Sequence, residues 1–475
     1  MMQRQECGPG PIETDYLVVG AGAAAMAFVD TLLDGSDASV VMADRRSRCG
    51  GHWNDAYPFV RLHQPTAWYG VPSRAVPDDD PDPAGFDRGA TGAGVLDYFD
   101  RLMQERFLTS GRVRWLPGCE YRRGDDGSHR LVSTVDGSER TVHVRRKLVD
   151  ATHARTEVPA THGPRYDVAS GVDCVPPHRL PQHDRSHGRY VVVGSGKTGM
   201  DTVLWLLGQG VPAARIRWIM PRDAWLLDRA NYRIGAEHFA QAMACTLGQL
   251  EAIAESASLS GLLASLESRG VLLRIDPAVE PTTYRCANVS HGELAELRRV
   301  QDVVRLGRVQ RLENTRIVLE RGTIDADPDA LYVDCSAAAL QPRPRVPVFD
   351  GDVVNLLLVS WCRPMFSAAL IAHVENTVSD TTEKNALCAP VGIPERPADW
   401  LTMWDVTLAN TGRWRQHPKV DAWVKSTRLN AVSTLLSGQV PADQDSLALI
   451  GRYPALARAA AANLPRLLAT IGPQA

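Results

Sequence analysis

The sequence has no long hydrophobic run. A helix that crosses a bilayer needs about 18 or more consecutive apolar residues, and no apolar stretch among these 475 residues reaches that length. The first predicted strand begins near Asp15, which leaves no room for a signal peptide with its own apolar segment. We therefore expect a cytoplasmic protein that does not interact with membranes.

Paired cysteines and hydrolase motifs are also missing. The nine cysteines are scattered, with no C-x-x-C pair and no cysteine–histidine cluster, so neither a dithiol relay nor a metal site is predicted. Most of the thiols are expected to be small buried side chains. No G-x-S-x-G or H-E-x-x-H motif is present, so hydrolase chemistry has no visible nucleophile or metal.

The chain carries no large excess of charge of either sign. Its net charge of −3 gives no general attraction to nucleic acid, and we expect no nucleic-acid partner. The content of 44% hydrophobic and 23% charged residues is close to the average of globular proteins. A chain of this length and composition can bury two or three cores, as a soluble enzyme does.

Two glycine-rich segments are the most informative feature that is present, VVGAGAAAM from Val18 and VVVGSGKTGMD from Val191. Each follows a β-branched run and opens onto an apolar, helix-forming stretch. Each therefore predicts a strand–turn–helix unit whose helix N-terminus receives a pyrophosphate. Three small residues give the tight turn, the approach of backbone to phosphate and the close helix–strand packing. They are Gly20, Gly22 and Ala25 in the first fingerprint, and Gly194, Gly196 and Gly199 in the second.

The strand that follows each fingerprint distinguishes the two ligands. The first of these strands ends at Asp44 and Arg45, and a carboxylate there can accept a hydrogen bond from a ribose hydroxyl, which suits FAD or NAD. The second reaches Arg222 with no acid at its end, and a guanidinium there suits the 2′-phosphate of NADPH. Lys197 and Thr198, at the start of the second helix, are further candidates for contact with this cofactor.

Together with the segments CGGHW and WIMPRDAW, these fingerprints resemble the flavin-containing monooxygenases and related flavoproteins with two dinucleotide-binding domains. The resemblance extends to about residue 380 and does not identify a subfamily. It implies that Gly50, Gly51 and Trp53 lie along FAD. It also implies catalytic positions at His63 and Gln64, which stand where the family has an asparagine that positions the nicotinamide. The family's linker signature before the second fingerprint is not matched.

The expected fold class is α/β, with two nested Rossmann-like domains and a helical C-terminal extension. The order of fingerprint, second strand, meander and final strand occurs twice, which predicts an FAD domain interrupted by an NADPH domain. A strand at 355–361 and a helix after it are expected to return to the FAD domain. The tryptophans of the extension are expected to pack in the core rather than to line a pocket. The expected ranges are 1–185 and 334–395 for the two parts of the FAD domain, 186–333 for the NADPH domain with a helical insertion, and 396–475 for the extension.

The resemblance implies an NADPH-dependent flavoprotein monooxygenase. In such an enzyme NADPH reduces FAD, and the reduced flavin forms with dioxygen a C4a-(hydro)peroxyflavin that oxygenates a small molecule, here at a nitrogen or sulfur atom. Two alternatives stay open. One is a flavin reductase or dehydrogenase that does not activate oxygen, and the other is a nucleotide-binding regulator without catalysis. Assembly as a homo-oligomer stays open as well.

Overall fold

A computed structural model describes residues 10–77, 88–153, 156–183, 187–233, 235–337, 344, 346–430 and 443–471. The strands are β1 (Ile12–Val19), β2 (Val40–Asp44), β3 (Gly70–Val71), β4 (Arg74–Ala75), β5 (Val113–Pro117), β6 (Cys119–Arg123), β7 (His129–Ser133), β8 (Glu139–Asp150), β9 (Asp167–Val168), β10 (Cys174–Val175), β11 (Arg189–Val193), β12 (Ile216–Ile219), β13 (Ala224–Asp228), β14 (Leu272–Leu273), β15 (Thr283–Val289), β16 (Asp302–Val304), β17 (Val309–Leu312), β18 (Arg316–Leu319), β19 (Gly322–Asp325), β20 (Ala330–Asp334), β21 (Phe349–Asp350) and β22 (Val353–Asn355). The α-helices are α1 (Ala23–Gly35), α2 (Gly92–Leu102), α3 (Lys197–Gly208), α4 (Phe239–Glu255), α5 (Leu259–Ser268), α6 (His291–Leu297), α7 (Pro364–Thr377), α8 (Thr381–Leu387), α9 (Ala398–Gln416), α10 (Pro418–Ser426) and α11 (Gln444–Ala469).

The first large sheet is built around the first fingerprint. Its main order is β21-β22-β8-β1-β2-β5, with β6 and β7 joined as an antiparallel meander to β8. The strand β1, which leads into the fingerprint, pairs in parallel with β2 and β8. Helix α1 connects β1 to β2 and packs against α7. This β1-α1-β2 unit is the strand–helix–strand arrangement that the glycine pattern predicts.

The second large sheet repeats this arrangement. Its order is β10-β20-β11-β12-β16, and every pair in it is parallel. The fingerprint strand β11 lies between its second strand β12 and the later strand β20, as β1 lies between β2 and β8. After β20 the chain returns to the first sheet, where β22 pairs with β8. The predicted α/β fold with two nested Rossmann-like units is thereby confirmed.

Smaller sheets complete the second half. Strands β17, β18 and β19 form the expected antiparallel meander, and β9 joins its edge. Strand β10 already pairs with β20 of the second sheet. Residues 167–175 thus belong by strand pairing to the second half, ahead of the predicted boundary at residue 185.

The insertion and the C-terminal extension are helical, as predicted. Helices α4 and α5 form the insertion, and α11 of the extension packs along α4. The side chains of Trp400 and Trp414 are buried in hydrophobic cores, and the Trp414 indole donates a hydrogen bond to the Leu387 carbonyl. These two tryptophans pack in the core, as expected. Among the described residues, no helix combines the length and apolar character that a bilayer-spanning segment requires.

The prediction of a strand at 355–361 is wrong. Strand β22 ends at Asn355, and the Leu356 amide makes the last bond to the first sheet, at Asp150. The chain then turns toward α7, and the Val359 amide donates to the Ser367 hydroxyl at 3.1 Å. The apolar run is half-buried here in a turn that leads into a helix, and an apolar run alone does not distinguish this case from a strand.

Candidate functional site

The first fingerprint forms a backbone cradle at the N-terminus of α1. Gly20 has a φ of +98°, and a Cβ at this position would lie 3.1 Å from the Thr152 methyl group. Gly22 is the residue that precedes the first turn of α1, and Ala25 is fully buried within that helix. The free amides of this turn therefore face the carboxyl end of the sheet, where anions are favoured.

The G-G-x-W segment packs directly on this cradle. The Gly50 amide donates to the Ala21 carbonyl at 2.8 Å, and a Cβ at Gly51 would lie only 3.0 Å from the Gly22 Cα. Gly50 has a φ of +112°, and a Cβ there would lie 2.5 Å from a Leu96 methyl group. Two glycine segments about thirty residues apart in sequence thus approach each other as bare backbone.

The Asp44 carboxylate lies beside the same cradle. One of its oxygens accepts from the Ala21 amide and the other from the Arg46 amide, both at 2.8 Å. Arg45 is exposed and borders an open cavity of about 330 Å³ that Arg46 and Asp55 also line. The Asp44 carboxylate is therefore placed where it would contact the ribose of a dinucleotide bound at the cradle.

Trp53 anchors the segment that follows. Its side chain is buried, and the indole Nε1 donates to the Tyr69 hydroxyl at 2.6 Å. The indole N–H is therefore already bonded within the protein. Any contact of Trp53 with a flavin would be made by its ring.

The second fingerprint is even more tightly constrained. Gly194 has a φ of +121°, and a Cβ there would lie 2.8 Å from the Cys335 carbonyl oxygen. A Cβ at Gly199 would overlap the Gly194 carbonyl oxygen, which already accepts from the Trp218 indole at 2.8 Å. By contrast, the space at Gly196, which precedes α3, is open. Helix and strand are thus locked together while the helix N-terminus stays accessible to a ligand.

Arg222 lies at the rim of the second fingerprint. Its carbonyl accepts from the Ser195 hydroxyl at 2.6 Å, and its guanidinium contacts Glu395 at 3.3 Å. Arg285 contacts the same carboxylate at 3.1 Å. Burial opposes ionisation of Glu395, but Arg285 and Arg222 outweigh it and lower its pKa. Arg285 and Glu395 are not predicted from the sequence, because no local motif marks them.

Lys197 faces the protein interior. Its ammonium donates to Asp201 at 2.6 Å and lies 3.5 Å from Glu293. Arg229 lies 2.8 Å from Glu293, and the Tyr57 hydroxyl donates to Asp201 at 2.7 Å. These four side chains form a buried ionic cluster, which we define as Lys197, Asp201, Arg229 and Glu293, and a phosphate contact of Lys197 stays a prediction. Thr198 follows on the first turn of α3, where its carbonyl accepts from the Thr202 hydroxyl at 2.8 Å.

The ionic cluster has two cations and two anions. Burial raises the pKa of Glu293, but Lys197 and Arg229 outweigh this effect and bring it to about 2. Glu293 also caps its own helix α6 through a reciprocal pair of bonds with Ser290. Because buried charges are tolerated only when paired, the cluster fixes α3, α6 and the segment after β13 relative to one another.

His63 lies against the ionic cluster. Its carbonyl accepts from Arg229 Nε at 2.5 Å, and its Nδ1 accepts from the Asn288 amide at 3.4 Å. Burial, together with the charges of Lys197 and Arg229, lowers the pKa of the imidazole to about 3. The ring is therefore neutral near pH 7. Gln64 is half-buried beside it, so both predicted catalytic positions lie where the first and second halves of the chain meet.

Most of the cysteines are free and buried, as expected, but two are paired. A disulfide joins Cys286 of β15 to Cys362, just before α7, with 6.5 Å between the Cα atoms. Six further cysteines are free, and Cys7 lies outside the described residues. The pair is 76 residues apart in sequence, so no spacing motif reveals it.

Comparison with known proteins finds relatives that are similar in sequence and solved structures that are similar in fold. No family model matches the chain. Uncharacterized proteins of Mycobacterium tuberculosis and Mycobacterium bovis are 48% identical to it over 429 residues, which are 90% of this chain and 79% of theirs. Polycyclic ketone monooxygenase from Thermothelomyces thermophila matches with a TM-score of 0.52 at 12% identity, over 97% of this chain and 90% of that one. Cyclohexanone monooxygenase from Rhodococcus sp. Phi1 matches with a TM-score of 0.50 at 13% identity, over 95% of this chain and 99% of that one. The expected likeness to flavoprotein monooxygenases is thus confirmed at the level of the fold.

The low pKa of His63 leads to a stability prediction. An imidazole that is neutral when folded and titrates near 6.5 when unfolded favours unfolding as the pH falls from about 6.5 toward 3. We expect His63 to contribute about 2 kcal/mol of destabilisation between pH 7 and pH 5. Urea unfolding at both pH values measures it, and the His63→Asn variant should lack this component.

The exposed His143 supplies the matched control, since His143→Asn should leave the pH dependence of the wild type in place. An imidazolium signal assigned to His63 by NMR at pH 6 would contradict the half-buried, neutral ring.

Proposed function

This chain belongs to one family with the uncharacterized mycobacterial proteins, and we propose that it is an FAD- and NADPH-dependent monooxygenase that acts on a small molecule. FAD would bind at the first fingerprint and NADPH at the second. The observation that carries the proposal is the contact between the first fingerprint and the G-G-x-W segment, beside a buried strand-end carboxylate.

The first cradle fits FAD in shape and in chemistry. A side chain at Gly22 or Gly51 would fill the space in which the two backbone segments meet, and bare backbone there lets amides approach a pyrophosphate. Asp44 holds its carboxylate at the same place through two backbone amides. Bound FAD would supply the redox chemistry, while Gly20, Gly22, Ala25, Asp44, Arg45, Gly50, Gly51 and Trp53 bind and orient it.

The second cradle fits NADPH in the same way. The open space at Gly196 admits a pyrophosphate to the N-terminus of α3. Arg222 and Arg285 share one carboxylate at the rim, and a 2′-phosphate offers the same type of partner with a larger charge. We therefore assign the preference for NADPH to this pair of arginines.

His63 and Gln64 would position the nicotinamide and the flavin edge. A neutral, half-buried imidazole with Nδ1 accepting from the Asn288 amide carries its proton on Nε2, so it can donate a hydrogen bond from that atom. It does not act as a strong acid there, since its pKa is about 3 and the proton on Nε2 belongs to the neutral form. The Arg229 contact to the His63 carbonyl fixes the backbone at this position.

A flavin reductase without oxygen activation is the second candidate, and the disulfide favours it. The Cys286–Cys362 bond joins β15 of the second half to the segment before α7 of the first. Such a disulfide can accept two electrons and two protons to become two thiols. The atom that is oxidised in the monooxygenase proposal, nitrogen or sulfur, follows from the resemblance alone.

The flavin assignment is tested by Asp44→Ala. The purified protein should be yellow, and loss of charge-assisted hydrogen bonds should weaken FAD binding by about 1.5–3 kcal/mol, measured as flavin retained after equilibrium dialysis. The exposed Asp37, between α1 and β2, supplies the control, and Asp37→Ala should bind like the wild type. Equal retention of flavin in both variants would refute the role of Asp44.

An oxygenase and a reductase are distinguished by the product in which the oxygen atoms of dioxygen are found. NADPH should bleach the flavin anaerobically, and with isotopically labelled dioxygen one labelled atom should appear in an amine or thioether substrate. In the reductase, the label would appear in hydrogen peroxide alone for every substrate class. Without oxygen, a reductase whose electron acceptor is the disulfide should consume two equivalents of NADPH per chain, one for FAD and one for Cys286–Cys362, whereas Cys286→Ser should consume one.

Arg222→Ala tests the second site. The apparent KM for NADPH should rise about tenfold or more while that for NADH stays nearly unchanged, because the lost contact exists only with the phosphorylated cofactor. Arg215, an exposed arginine of the same half, supplies the control substitution Arg215→Ala. An equal rise in the apparent KM for both cofactors would show that Arg222 does not bind the 2′-phosphate.

A further inference from the structure

Three potential metal ligands lie together at the start of the second half of the chain, away from both cradles in sequence. Asp173 directly precedes β10, His183 follows a short 3₁₀ segment, and His187 lies two residues before β11. One oxygen of Asp173 is 3.8 Å from His183 Nδ1 and 3.8 Å from His187 Nε2. The three ligand atoms all lie within 4.8 Å of one another.

These separations match the size of a first-row transition-metal ion. A point equidistant from the three atoms lies no more than about 2.5 Å from each, against zinc–nitrogen and zinc–oxygen bonds of about 2.0–2.2 Å. If each of the three ligand atoms moved inward by a few tenths of an ångström, its distance to the ion would match these bond lengths. Two imidazoles and one carboxylate suit Zn²⁺ rather than Mg²⁺ or Ca²⁺, which prefer oxygen ligands.

The space beside the cluster is polar and acidic. A cavity of about 170 Å³ is bordered by Asp173, His187, Glu313 and Asp329. It is also lined by Tyr332, whose side chain is almost fully buried and whose hydroxyl has no hydrogen-bond partner among the described residues. Buried hydroxyls are rarely left unbonded. A water molecule on a three-ligand metal ion would provide such a partner.

We propose that Asp173, His183 and His187 form a zinc-binding site, with an open position that faces this cavity. The ion would tie the edge strand β10 to the segment that leads into β11, the strand of the second fingerprint. This site is independent of the proposed flavin chemistry, because none of its residues belongs to either cradle. It would stabilise the second sheet by binding only the folded chain.

Zinc binding to the tag-free, full-length protein tests the proposal. Equilibrium dialysis against Zn²⁺ followed by elemental analysis should give one ion per chain, and Zn²⁺ should raise the Tm by a few degrees. Asp173→Asn, His183→Gln and His187→Gln should each weaken binding at least tenfold. The control His143→Gln, at an exposed histidine of β8, should bind as the wild type does.

The flavin content and the Tm without Zn²⁺ show whether each variant is folded, and flavin retention separates this test from the test of function. If a variant does not fold, the absorption spectrum of the wild type loaded with Co²⁺ decides, since nitrogen–oxygen coordination has its own visible bands. Zinc binding that all three ligand variants retain, or a wild type that takes up no Zn²⁺ in excess, would overturn the proposal.

Discussion

At both fingerprints, backbone segments approach each other so closely that only glycine fits between them, and the rest of the structure depends on this constraint. At Gly199 the helix α3 meets the Gly194 carbonyl so closely that any Cβ would overlap it, and at Gly51 the chain touches Gly22. These contacts fix where each helix begins relative to its sheet. They also leave the first-turn amides exposed at the carboxyl edge of each sheet, where ligands bind in open α/β folds. Both cradles are therefore consequences of backbone packing.

The buried ionic cluster connects this constraint to the chemistry. Lys197 is the first residue of α3. The second fingerprint therefore sets the direction of its side chain as well as that of the first-turn amides of α3. Lys197 pairs with Asp201 and Glu293, Arg229 pairs with Glu293, and Arg88 lies 3.9 Å from Glu293 as a further cation. Breaking such a buried arrangement on one side costs about 3–5 kcal/mol. The cluster thereby holds the His63 segment of the first half against the second half.

The sequence predicted the features that depend on residues close together in the chain. It did not predict the contacts between residues far apart in the chain. The fingerprints, the strand-end Asp44 and the doubled β-α-β order depend on residues within about twenty-five positions of each other, and the fold follows from them. The contacts of Arg285 with Glu395, Cys286 with Cys362 and Asp173 with His183 join residues that no spacing rule relates. The strand at 355–361 failed for another reason, since an apolar run can equally be half-buried in the turn that leads into α7.

Lys197 shows how the two kinds of information combine. A lysine directly after a glycine fingerprint suggests phosphate binding, yet its ammonium bonds to buried carboxylates. While Lys197 is paired in this way, the positive charge that the second cradle would offer a pyrophosphate is that of the N-terminus of α3, about half a unit. In the proposed NADPH site, discrimination between cofactors would fall to Arg222 and Arg285 at the rim, which share the Glu395 carboxylate in this structure. In this proposal the charges that hold the two halves of the chain together, in the ionic cluster, are different from the charges that would recognise the cofactor, at the rim.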